Sequence, residues 1–142
     1  MRFFAIGMLV MILAVFTSPA SAQVTTYDCS INSLEGRGFI RDRVIFSVDP
    51  TQKVAGVVDD FVMLVYKTPI PADLTILNNG QYRLKWSVDN LRSGADTFDL
   101  DYTLTYRPAQ KAFNIRTRVK GYDNRPCGSG TCKTVTGQSV LP

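Results

Sequence analysis

From residue 23 onward the chain alternates apolar and polar positions with period two almost to its end. Turn-forming residues interrupt the alternation about every 8 to 12 positions, the spacing of an antiparallel sandwich or barrel. The pattern predicts strands near 24–31, 41–48, 53–58, 61–66, 72–77, 81–88, 97–107, 112–122 and 131–135. Asp59-Asp60 falls between two apolar stretches and reads as a turn. No window of helical length repeats every 3.6 residues, so helix is expected to be minor.

Two hairpins can be set in register from the sequence. Asn78-Asn79-Gly80 is read as a three-residue loop with Gly80 left-handed. Ile76 then opposes Tyr82, Leu74 opposes Leu84 and Ala72 opposes Trp86 on one face. Thr75 opposes Arg83 and Asp73 opposes Lys85 on the other. A one-residue slip would place Asp73 against Trp86 and mix the two sets. The second hairpin turns at Pro108-Ala109-Gln110-Lys111 and pairs Arg107 with Ala112. Tyr106 then meets Phe113, Leu104 meets Ile115, Tyr102 meets Thr117 and Leu100 meets Val119. Its other face pairs Thr103 with Arg116, Asp101 with Arg118 and Asp99 with Lys120. The expected fold is all-β: an antiparallel meander of eight to nine strands, with a closed or partly closed barrel preferred over a sandwich.

The N-terminus breaks this pattern. Met1-Arg2 is followed by an uncharged apolar run from Phe3 to Phe16, a break at Thr17-Ser18-Pro19, and Ala20-Ser21-Ala22. That is the order of a cleavable secretory signal, and the run is too short for a spanning helix. Residues 1–22 are therefore expected to be a signal peptide. Residues 23–142, roughly 120 residues, suit a single β domain. The destination is export: the periplasm in a Gram-negative bacterium, secretion otherwise. No later segment is apolar enough to span a membrane as a helix.

Composition narrows the chemistry. There is no histidine, which excludes a Ser-His-Asp triad, a Cys-His pair and a His-ligated zinc. Glu35 is the one glutamate. The formal net charge of +4, lowered by one when Arg2 leaves, is too mild to argue for nucleic acid. No phosphate loop, dinucleotide fingerprint or calcium loop is present, so no cofactor and no metal are expected.

The chain has three cysteines, and an oxidising compartment favours a disulfide. Cys127–Cys132 would close a short glycine-containing loop, and Cys29–Cys132 would staple the first strand to the last. Chain entropy is worth roughly 2 kcal/mol for the short loop and nearer 4.7 for the long one. Energetics thus lean to Cys29–Cys132, while proximity favours Cys127–Cys132.

Asp99 and Asp101 stand two apart on one strand face, about 6.5–7 Å from each other. That separation suits an acid–base pair in glycoside hydrolysis. Basic residues across the hairpin would instead hold both ionised. Arg116, Arg118 and Lys120 form a basic stripe in which Arg116, facing only Thr103, is the charge most available. Arg37, Arg41 and Arg43, near the turn Gly36-Arg37-Gly38, form the better candidate patch, because only Asp42 sits among them. Tyr82, Trp86, Phe98, Tyr102, Tyr106 and Phe113 are candidates to line a ligand cavity in the barrel; their alternative role is core.

Tyr27-Asp28-Cys29, the stretch from Asp42 to Pro50, and Gly130-Thr131-Cys132-Lys133 together resemble small uncharacterised exported proteins of alphaproteobacteria. The resemblance implies a periplasmic setting, and its matching ends favour Cys29–Cys132 as the bridge. In architecture the chain is also similar to periplasmic lysozyme-inhibitor barrels, with Ser93-Gly94 opening a long hairpin. The expected function is a non-catalytic exported binding or interaction protein with an aromatic-lined barrel, taking a small apolar ligand or an envelope protein as partner and no nucleic acid. The alternatives are an envelope hydrolase using Asp with Tyr or Lys, and an inhibitor-like protein acting on an envelope enzyme.

Overall fold

The computed structural model describes residue 14, residues 23–35 and residues 38–142. The signal peptide expected over residues 1–22, apart from Ala14, lies outside the described residues, as does Arg37. Eight strands follow one another: β1 (Thr25–Glu35), β2 (Arg43–Asp49), β3 (Val54–Val58), β4 (Ile70–Ile76), β5 (Tyr82–Ser93), β6 (Asp96–Arg107), β7 (Ala112–Val119) and β8 (Cys127–Val135). Each pairs antiparallel with the next, and β1 pairs with β8 to close the barrel.

One expected strand is a helix. Residues 61–66 fall within α1 (Asp60–Tyr66), so Asp59-Asp60 is a helix start and not a simple turn. The Asp59 carboxyl accepts a hydrogen bond from the Val62 N–H at 2.8 Å, and Lys67 ends the helix in the left-handed region at φ 64°. The β-branched and aromatic composition favours a strand, but an aspartate N-cap can reverse that preference for one short element. Spacing decides the rest. Val62, Val65 and Tyr66 recur at helical intervals and pack on the core, while Met63 and Leu64 stay exposed.

Both hairpins hold the expected register. Asp73 pairs with Lys85, Leu74 with Leu84, Thr75 with Arg83 and Ile76 with Tyr82. Gly80 is left-handed at φ 78°. In the second hairpin, pairing runs from Arg107 with Ala112 to Leu100 with Val119. β5 continues past Val88 through a register shift at Asp89-Asn90, where Asn90 adopts φ 60°.

From Leu100 onward the even-numbered residues of β6 point inward. Leu100, Tyr102, Leu104 and Tyr106 are all buried. Phe46, Val57, Leu84, Phe113 and Val119 join them from the other strands. Cys29 lies opposite Cys132 across the β1–β8 seam, and the two form the disulfide. Cys127 takes no part in that bridge.

One barrel end is closed by α1 and by Phe39-Ile40 of the β1–β2 connection. Tyr102 crosses to this end and donates its hydroxyl to the Phe39 carbonyl at 2.6 Å. The C-terminal segment after β8 returns over the outside of β1–β3. There the Thr26 hydroxyl donates to the Gln138 carbonyl, and the Val140 N–H donates to Ser47 Oγ at 2.9 Å. Gly56 makes this approach possible, because a Cβ there would stand 2.2 Å from the Val140 carbonyl oxygen. Among the described residues, no helix is long and apolar enough to cross a membrane.

Candidate functional site

The outer wall of β5–β7 carries a groove whose form follows from strand register. Asp73, Lys85, Thr103, Arg116 and Cys127 lie directly opposite one another in one row across β4 to β8. A second row runs Thr75, Arg83, Thr105, Asn114 and Ser129. The middle strand β6 thus offers short side chains, Asp101, Thr103 and Thr105, all half-buried. Its neighbours offer long ones, Arg83 and Lys85 on β5 and Arg116 and Arg118 on β7. Strands repeat every 4.7–4.9 Å, so the two cationic walls stand about 10 Å apart over a floor of hydroxyls.

This trough encloses about 870 Å³ and also takes in Pro71, Ser87 and Arg125. A second groove of about 460 Å³ continues from it along β6 and β7 to Arg107, Asn114 and Ser129, sharing Thr103 and Arg116.

The charge along the trough is unbalanced. Ion pairs among the described residues join Arg41 to Asp60, Arg43 to Asp28, and Lys120 to Asp89 and Asp101. None of them uses Arg83, Lys85, Arg116, Arg118 or Arg125. Asp73 and Asp101 are the opposing charges in the lining. Asp101 is already engaged: it accepts from Ser87 Oγ at 2.6 Å and faces Lys120 Nζ at 3.8 Å.

Arg116 sits at the junction of the two grooves, in keeping with its availability in the sequence. Lys120, expected opposite Asp99, instead turns its ammonium toward Asp89 and Asp101. It meets Asp99 through the backbone, Lys120 N–H to Asp99 carbonyl at 3.0 Å. The Asp99 carboxyl accepts from the Asn90 N–H at 2.9 Å, an acceptor role set up by the β5 register shift. Arg43 is held by Asp28 through two hydrogen bonds of 2.8 and 2.7 Å. These bonds and the facing charge keep the Asp28 carboxyl below its ordinary range. Arg41 spans Asp60 at 3.4 Å and the Phe61 ring at 5.2 Å. Both cations are thus committed within the chain.

The six aromatic candidates all belong to the barrel interior or its closed end. Trp86 stacks on Tyr102 at 5.1 Å. Tyr106 contacts Tyr27, Phe46 and Tyr82. Phe98 packs edge-on to Phe39, and Phe113 is fully buried. Burial, together with the nearby Tyr82 and Tyr106, pushes Tyr27 up to about 12. Burial also raises Tyr102, with the Asp59 carboxyl adding to it. The rings therefore fill the interior against one another, as an eight-stranded barrel permits. Inside, Trp86 Nε1 and Thr117 Oγ1 have no hydrogen-bond partner among the described residues.

Arg83, Lys85 and Arg125 are site residues that sequence alone does not assemble. The signal was present for the first two. Each hairpin register placed its cations on an outer face, and joining the hairpins through β5 and β6 brings Lys85, Thr103 and Arg116 into line. Among the described residues, no group of three or more His, Cys, Asp or Glu is placed to hold a metal ion.

Compared with protein-family models, with curated proteins and with solved structures, the chain matches none.

Proposed function

We propose that this protein is a non-catalytic, exported binding protein that recognises an anionic partner through the outer groove of β5–β7. The reading rests on the pair of cationic walls over the β6 floor, none of whose cations has an ion-pair partner among the described residues. Charges left unpaired on a protein surface attract counter-charges and accelerate encounter. The interior supports the same reading, because its aromatic side chains are spent on one another.

Charge reversal tests this. Arg83→Glu with Arg116→Glu should abolish low-salt binding of a polyanion panel of polyaspartate, polyphosphate and dextran sulfate. Arg92→Glu, on the exposed far end of β5, should leave it unchanged. Equal binding by all three proteins would remove the groove from the function.

A small ligand inside the barrel is the second reading, supported by Trp86 Nε1 and Thr117 Oγ1. Buried polar groups are normally satisfied, and a ligand with one acceptor and one donor would satisfy both. Native mass spectrometry of protein from its own host checks it: a single mass throughout, with nothing bound, counts against this reading.

A further inference from the structure

We infer that the occupant of the groove is an extended, acidic protein segment, lying along β6 with carboxylates at alternate positions. This rests on the groove being the recognition face and adds the chemistry of what it takes.

The first feature is the repeat of cations. On each wall the cations stand two residues apart in a strand, Arg83 and Lys85 on one side, Arg116 and Arg118 on the other. That is a spacing of about 6.5–7 Å along the groove. An extended polypeptide presents the side chains of one face at the same interval, so carboxylates at i and i+2 meet successive cations without strain. Arginine forks match carboxylates two bonds at a time.

The second is what the floor provides. Thr103 and Thr105 present hydroxyls, which donate to and accept from a peptide backbone. No exposed aromatic ring lines the trough: Trp86 and Tyr102 reach it at 5% and 1% exposure. Nucleobases are held by stacking on open rings, and that platform is missing.

The third is the pair of acids in the lining. Asp73 and Asp101 would oppose a polymer with a charge on every unit, such as polyphosphate. A peptide avoids them by placing neutral residues there. The two grooves together follow β6 from Asp101 to Arg107. That is a run of about 20 Å and room for about six extended residues.

The test is titration of the whole protein with two peptides of equal composition. One alternates Glu with Ser over eight residues, and its isomer gathers the Glu at one end. Polyphosphate is the third probe. The alternating peptide should bind at least about tenfold more tightly than its isomer, a difference of about 1.4 kcal/mol. Arg83→Glu with Arg116→Glu should abolish that difference while Arg92→Glu retains it. Equal affinity for the two isomers overturns the extended-segment inference. So does tighter binding of polyphosphate, which the groove variants then abolish; in that case the groove stands and only its occupant is wrong. Binding of any probe that ignores the groove variants, or no binding at all, overturns both readings.

Discussion

Two stretches of one barrel wall have been treated in opposite ways. Outside β1–β3 the residues are small, Thr26, Ser47 and Gly56, and the C-terminal segment lies across them. Thr26 and Ser47 are buried as a result, at 1% and 0% exposure, and bond to each other at 2.7 Å. Outside β5–β7 the flanking residues are long and charged, and Lys85, Arg116 and Arg118 stay exposed. A covered wall must match every polar group to a partner, because burying one unmatched costs about 1–3 kcal/mol. A bare wall can carry unpaired cations at little cost, because water solvates them. Stability and recognition are thus separated around the barrel, and substitutions should divide accordingly.

The largest effect is expected at the seam beside the covered wall. Replacing Cys29 and Cys132 together by Ala removes a bridge spanning 103 residues. Chain entropy puts the loss at about 4–5 kcal/mol. Urea unfolding checks it, and the intact protein under a reductant should lose as much. A loss under about 1 kcal/mol would mean the barrel closes without its staple.

Gly56→Ala strikes the cover itself. The added methyl collides with the Val140 carbonyl, so the C-terminal segment must lift and its bonds to Thr26 and Ser47 must open. The expected cost is about 1–3 kcal/mol, with faster proteolysis of residues 136–142 and unchanged binding in the groove. If peptide binding fell as well, the two walls would be coupled and the comparison would fail.

Acid titration sharpens the contrast through Asp28, on the covered side of the barrel. Its native pKa lies below the ordinary 3.8 because of Arg43. Between that lowered value and 3.8 the unfolded chain binds more protons than the native one, so stability falls as pH drops through the window. Asp59 runs the other way. Burial raises its pKa, so its contribution declines as pH rises from 3.8 through the raised value. In urea melts across pH 2–6, Asp28→Asn should flatten the acid limb. Asp59→Asn, which can still cap α1, should flatten the opposite limb. An unchanged acid limb in Asp28→Asn would move the acid sensitivity elsewhere.

The smallest stability effect belongs to the bare wall. Arg83→Glu with Arg116→Glu should change the unfolding free energy by no more than about 0.5 kcal/mol per site, while groove binding is lost. A large loss of stability would show these cations to be part of the scaffold.

Much of this architecture is legible in the sequence. Period-two alternation placed inward and outward residues on β5, β6 and β7 correctly, because a strand's two faces see different solvents. The three-residue turn Asn78-Asn79-Gly80, with Gly80 left-handed, sets a register, and register sets which charges face which. The helix reads as a strand in the sequence because its composition and its spacing disagree. Phe61 to Tyr66 is rich in strand-forming residues, and only the Asp59 cap and the 62–65–66 interval mark it as helical. Lys120 does stand opposite Asp99, joined through the backbone, but its ammonium turns to Asp89 and Asp101. The register shift at Asp89-Asn90 re-aims side chains at that end of β5, and no local pattern announces it.

What the sequence by itself determined is the set of strands, their pairing within hairpins and the division between an apolar interior and a polar exterior. These depend on neighbours a few residues apart. Closure of β1 on β8, the choice of Cys29 over Cys127 as the partner of Cys132, the path of the C-terminal segment over Gly56, and the meeting of two hairpins' cations across β6 are decided by residues far apart in the chain. They become adjacent only when the sheet twists round and its edges satisfy each other's hydrogen bonds. The groove is a property of that closure: its floor is written in one hairpin and its walls in two.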